Sequence, residues 1–308
     1  MSQARGLFDE QIRLAKLSRK KDPLEQLSRH IDFEYFRKPL EKFFTKGARN
    51  TQGGRPAYDC LLMFKILVLQ RYYNVSDDGM EYAILDRLSF MRFLGLGIHD
   101  PVPDAKTIWL FRNNLTKGNM VDKLFRHLDK LLDKDGIIVH KGKLVDASIV
   151  EVPIQRNSRD ENKGLKDGEV PEGWGANKLR QKDIDAQWVT HNGKSYFGYK
   201  NHIKADGKTK LITAYQATTA NIHDSEVLEN LLDKKEDGGQ RLYADRAYRS
   251  EALEEVCRKK NIESAIHEKA YRGKGLTKRQ KQGNKTKSSK RARVEHIFGF
   301  MTNTMRAM

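Results

Sequence analysis

The sequence predicts an α/β protein: a helical N-terminal half, then a mixed sheet flanked by helices. Three observations predict it. Up to about residue 135, apolar residues recur at helical spacing with hardly any strand signal. At Ile137 the pattern turns β-branched, with Gly136-Ile-Ile-Val and then Lys143-Leu-Val-Asp-Ala-Ser-Ile-Val-Glu-Val. From there strand and helix patterns alternate, as they do in sheets covered by helices.

In the first half, Asp22-Pro23 reads as an N-cap followed by proline at the first helical position, ahead of Leu24, Leu27 and Ile31. Phe36, Leu40, Phe43 and Phe44 continue an apolar face, and Gly53-Gly54-Arg55-Pro56 breaks it. Tyr58 to Tyr73 predicts a strongly apolar helix. Ser76 and Asp104 are caps for the next two helices, and Met120 to Leu132 forms another, closed by Asp135-Gly136. Short helices joined by tight turns fit a helix-turn-helix-like DNA-binding module or a bundle that packs on the next domain. Arg87 and Arg92 are read as exposed and compatible with phosphate contacts.

In the second half, Asp146 sits inside an apolar strand. A charge there is costly unless it is paired or bound to metal. Residues 155–187 carry many charges and few large apolar groups, and read as a long loop that Trp174 and Trp188 partly order. Ser195 to Lys204 and Lys210 to Thr218 flank Asp206-Gly207, a β-hairpin signal. A helix follows, capped by Ser225 or Asp224; His223 and Asp224 at its start read as N-terminal caps, with support for the site as the other reading. Arg241-Leu-Tyr-Ala-Asp245 is a short strand ending at an aspartate, where α/β sheets place ligand-binding groups. Ser250 caps the next helix, and Asn261 to Ile266 is a last short strand. Lys269 to Arg293 then holds eleven Lys/Arg and no Asp or Glu. Glu295 follows on a predicted helix from Ser289 to Phe300, the sole acidic residue after Glu268. An ion pair and a metal ligand are both open for it.

Composition bounds the function. The 308 residues carry 58 Lys and Arg against 41 Asp and Glu, a formal charge of +17. Such an excess suits a polyanionic partner, most simply nucleic acid. No apolar run approaches the roughly 18 residues a membrane span needs. The first residues are polar, without the apolar core of a signal peptide. Cys60 and Cys257 lie far apart, which argues against a zinc site or a disulfide framework. A cytoplasmic location and no membrane partner are expected.

The chain also resembles the DDE transposases of bacterial insertion sequences, in the insertion-sequence-five-like group. MFKILVLQRYYNVSDDGMEYAILDRLSFMRFLGL and VPDAKTIWLFR carry the resemblance in the first half. LVDASIVEVPIQRN, YFGYKNHI, HDS, YADRAYRS and RARVEHIFGF carry it in the second. The resemblance implies an RNase H-like (retroviral-integrase-type) catalytic domain over 136–308, with a loop insertion at about 155–190 and a basic segment at 269–293. It implies a DNA-binding helical domain over 1–135. It places the catalytic, metal-binding triad on Asp146, Asp245 and Glu295, with two Mg²⁺ ions for which Mn²⁺ can substitute.

Implied partners are terminal inverted repeats and target DNA, engaged by a homodimer or larger assembly. The basic segment supplies the candidate DNA contacts Lys278, Arg279, Lys285, Lys287, Lys290, Arg291 and Arg293. Arg291 matches the family's signature arginine, while Ser288 stands where the signature has Tyr and Thr302 where it has Lys. Relatives continue farther beyond the Glu helix, so a C-terminally truncated copy is expected. A truncated, catalytically impaired protein that only binds DNA is the alternative reading.

Overall fold

The computed structural model describes residues 8–47, 56–191, 193–270, 273 and 275–305. The chain divides into two compact units, one through Leu131 and one over Leu132–Thr304.

The first unit is helical. Its elements are α1 (Asp9–Arg19), α2 (Pro23–His30), a 3₁₀ turn (Phe33–Phe36), α3 (Arg37–Gly47), α4 (Cys60–Tyr73), α5 (Asp77–Asp86), α6 (Leu88–Leu94), α7 (Ala105–Lys117) and α8 (Met120–Lys134). The expected caps form: Asp22 accepts from Leu24 N–H, Ser76 from Gly79 N–H and Asp104 from Thr107 N–H. Leu40, Ile66, Leu69, Met80, Ile84 and Ile108 make a fully buried core. Helix α4 starts at Cys60 because Asp59 is its cap, accepting from Leu61 and Leu62 N–H. Arg92 corrects the phosphate reading. Its guanidinium donates to Leu14 O, Ser18 Oγ and Asp22 Oδ2, so it staples α1 and α2 to α6. Arg87 stays exposed, over the Tyr73 and Phe90 rings.

The second unit is a mixed sheet with helices on both faces. Strand β1 (Lys143–Glu151) is followed by short helices α9 (Arg159–Lys166) and α10 (Ala176–Gln181), strands β2 (Gln187–His191), β3 (Lys194–Asp206) and β4 (Ile212–Thr219), and helices α11 (Asp224–Leu231) and α12 (Lys234–Asp237). Then come β5 (Arg241–Tyr243), a 3₁₀ turn (Arg246–Tyr248), α13 (Glu251–Lys259), β6 (Glu263–Ser264) and α14 (Lys278–Gly299). The sheet order is β2-β3-β1-β5-β6, with β4 also on β3. β1 runs antiparallel to β3 and parallel to β5, and β5 runs parallel to β6. Gly198 permits the β1–β3 approach: its φ is +151°, and a Cβ there would lie 2.1 Å from Val150 O.

Side chains alternate across a strand, so β1 serves two faces. Val145 packs with Val227, Leu228 and Leu231 of α11 and Leu253 and Cys257 of α13. Leu144 packs with Ile203 and with Val294 and Ile297 of α14. Asp146, two residues on from Leu144 and paired with Ile203, lies on this α14 face.

Two expectations change. Ile137 to Val139 form no strand, because Ile137 and Ile138 N–H turn back to Leu132 O and close α8 around Gly136, at φ +67°. The 155–187 stretch is not a plain loop. A capping box between Ser158 and Glu161 starts α9, and Glu161 also accepts from Trp174 Nε1 and Lys178 Nζ. Of the residues expected as caps of α11, His223 takes the role: its Nδ1 accepts from Ser225 N–H.

Candidate active site

Asp146 lies at the middle of β1 and Asp245 two residues beyond the end of β5. Because β1 and β5 are parallel neighbours, both carboxylates reach one cavity at the C-terminal end of these strands. The cavity holds about 740 Å³, and Lys200, Asp224, Tyr248 and Arg291 also line it.

Its electrostatics are set by burial and by one cation. Burial pushes the Asp146 carboxyl above the ordinary aspartate value, although Arg291 and the Ala147 N–H favour its anion; the charge of Asp245 adds to the rise. Burial also disfavours the Asp245 anion, but the Arg246 N–H and His267 outweigh it, and this carboxyl sits below its ordinary value. Arg291 Nη1 donates to Asp146 Oδ2 at 2.6 Å, and Nη2 to Glu295 Oε1 at 3.5 Å.

Glu295 does not line the cavity. It is exposed one helical turn beyond Arg291 and lines a separate surface pocket with His296 and Phe300. Asp146 and Asp245 are therefore brought together directly, and Glu295 is connected to Asp146 only through the Arg291 guanidinium. Among the described residues, no group of three His, Cys, Asp or Glu side chains is close enough to hold a metal ion.

Residues 139–308 match the family described as Transposase DDE domain. The chain belongs to that family. Residues 12–114 match a second one, Transposase domain (DUF772). No solved structure matches the chain. As a DDE transposase it acts on DNA in transposition, and the reading as a bare DNA-binding protein is not favoured. Among its described residues, no helix is long and apolar enough to cross a membrane.

Enzymes of this family generally use divalent metals such as Mg²⁺. The side chains present fit such an ion. Asp146 and Asp245 are hard oxygen donors in one cavity, as magnesium prefers. The Arg291 guanidinium is itself a cation touching the Asp146 and Glu295 carboxylates together.

From Lys278 onward the transposase's basic segment is helical, where the sequence predicted a helix only from Ser289. A capping box between Thr277 and Gln280 starts α14, which continues unbroken through Glu295. Its cations divide by role. Lys287 Nζ donates to Ile266 O and pairs with Glu268, and Arg293 donates to Lys208 O, so both hold the helix to the sheet unit. Lys278, Arg279, Lys285 and Lys290 are exposed, with no ion pair to any described residue.

Sequence reasoning missed Lys200, whose Nζ bonds Asp224 Oδ1 and Ile222 O at the cavity wall. It also missed Tyr248, fully buried with an unpartnered hydroxyl, and His267. The Asp245-Arg-Ala-Tyr spacing, one turn beyond a strand, was the available signal for Tyr248.

Proposed function

We propose that this transposase cleaves DNA strands at insertion-sequence ends and joins them to target DNA, with Asp146, Asp245 and Glu295 holding two Mg²⁺ ions. Mn²⁺ substitutes for Mg²⁺ in this reading. The observation that carries it is the shared cavity of Asp146 and Asp245, with one guanidinium linking Asp146 to Glu295. Divalent ions stabilise the attacking and leaving oxygens of an in-line displacement at phosphorus.

The chain's own groups supply the rest. Asp146 is fixed by β1 and half-buried at the cavity wall. Asp245 is held by the turn after β5 and by His267. Arg291 balances the buried charge of Asp146 and competes with any other cation for the same oxygen. Lys278, Arg279, Lys285 and Lys290 offer an exposed basic surface on α14 for DNA phosphates. Affinity of that kind falls steeply with added salt.

The same reading assigns an RNase H-like fold of the insertion-sequence-five-like group. It makes 1–135 a DNA-binding domain and 136–308 the catalytic domain. It also expects a homodimer on paired DNA ends and a cytoplasmic location.

The test supplies a pre-cleaved DNA end bearing a 3′-hydroxyl, a supercoiled plasmid and Mg²⁺ or Mn²⁺. Joined product is expected. Nicking without joining would make the protein a nuclease, and neither product would overturn the reading.

A further inference from the structure

The third carboxylate helix is tied to the second carboxylate through one buried histidine. His267 is 7% exposed and lies just after β6. Its Nδ1 is 3.3 Å from Asp245 Oδ1 and its Nε2 is 3.2 Å from Ser288 Oγ on α14. A carboxylate only accepts, so Nδ1 carries the hydrogen toward Asp245. In the neutral ring Nε2 then accepts from the Ser288 hydroxyl.

The surrounding contacts fix the ring. Glu268 N–H donates to Asn284 Oδ1, and Asn284 Nδ2 donates to Glu268 O. Lys287 Nζ donates to Ile266 O. The backbone on both sides of His267 is thus clamped to α14. Asn284, Lys287, Ser288 and Arg291 follow at i, i+3, i+4 and i+7, one face of that helix. The face that grips the His267 segment also delivers Arg291 to Asp146.

We propose that His267 is a positioning residue: it sets the Asp245 carboxylate for a divalent cation and couples it, through Ser288, to the helix bearing Arg291 and Glu295. The proposal rests on the metal-site reading above. Carboxylate ligands are themselves commonly hydrogen-bonded, and losing such an outer partner costs roughly 10- to 100-fold in metal affinity.

Mn²⁺ affinity of the full chain without DNA, read by electron paramagnetic resonance, tests it. His267→Phe removes both contacts and is expected to weaken binding at least about 10-fold. His267→Asn keeps a donor near the Nδ1 position and is expected to recover most of that loss. Ser288→Ala cuts only the link to α14, at an exposed position. It is expected to weaken binding by a smaller factor with an unchanged melting temperature. If His267→Phe folds and binds Mn²⁺ as tightly as the parent, the relay is overturned. Should His267→Phe fail to fold, His267→Asn and Ser288→Ala decide. The relay stands if Ser288→Ala weakens binding and falls if both variants leave it at the parental value. Loss of affinity in Asp245→Asn would keep the metal-site reading standing while the relay falls. Absence of any Mn²⁺ binding by the parent would overturn both.

Discussion

Asp146→Asn is expected to lower DNA strand cleavage by roughly 10³-fold or more, with DNA affinity within a few-fold of the parent. The substitution preserves size and leaves β1 intact, but removes the charge that a divalent cation needs. A metal contributes several kcal/mol to such a reaction, and about 1.4 kcal/mol is one factor of ten. DNA affinity is expected to survive because the substitution leaves the exposed cations Lys278, Arg279, Lys285 and Lys290 of α14 in place. Asp245→Asn is expected to behave alike, and Asp224→Asn to matter far less, since Asp224 sits at the start of α11 and not on or just beyond the parallel strands β1 and β5. Cleavage of a labelled end, with binding followed by fluorescence anisotropy, checks all three. If Asp245→Asn stays active and Asp224→Asn does not, the second carboxylate role passes to Asp224.

The second large effect lies in the sheet unit's core and concerns stability. Asp237 is fully buried, and Lys204 Nζ lies 3.1 and 2.8 Å from its two oxygens. Lys143 Nζ is 3.6 Å away, and both lysines are 1% exposed. The Asp233 N–H completes the cluster at 2.8 Å. Asp237→Ala leaves two buried ammonium groups without their shared counter-charge. Removing one partner from such a cluster costs about 3–5 kcal/mol. Replacing the cluster with well-packed apolar residues is often neutral. Chemical denaturation followed by tryptophan fluorescence, for Asp237→Ala and for Lys143→Met/Lys204→Met/Asp237→Leu, checks this. The single variant is expected to be strongly destabilised and the triple to recover most of the loss. A single-variant change below about 1 kcal/mol would show that water already reaches the lysines.

Much of this architecture is local and therefore legible. The caps Asp22, Ser76, Asp104 and Ser250 act on N–H groups two or three residues away, so sequence alone shows them. The β3–β4 hairpin declares itself through Asp206-Gly207, and Asp146 through an apolar strand that continues past it. What escaped depends on distant partners. Nothing local marks Lys143 and Lys204 as partners of Asp237, which only the fold brings to them. Arg92 reads as exposed until α1 and α2 fold over it. The basic run before Glu295 has no apolar period, and its helix is anchored by Asn284, Lys287 and Arg291, whose partners lie elsewhere in the chain. The family resemblance, not the spacing, put Glu295 with the two aspartates. The fold brings it to Asp146 only through Arg291.

That guanidinium gives the most direct test of the metal site. Mn²⁺ is titrated without DNA into the parent chain, Asp146→Asn and Arg291→Ala. Loss of binding in Asp146→Asn, with equal or tighter binding in Arg291→Ala, is the predicted result, because one variant removes a ligand and the other its competitor. Parental Mn²⁺ affinity in Asp146→Asn would contradict it.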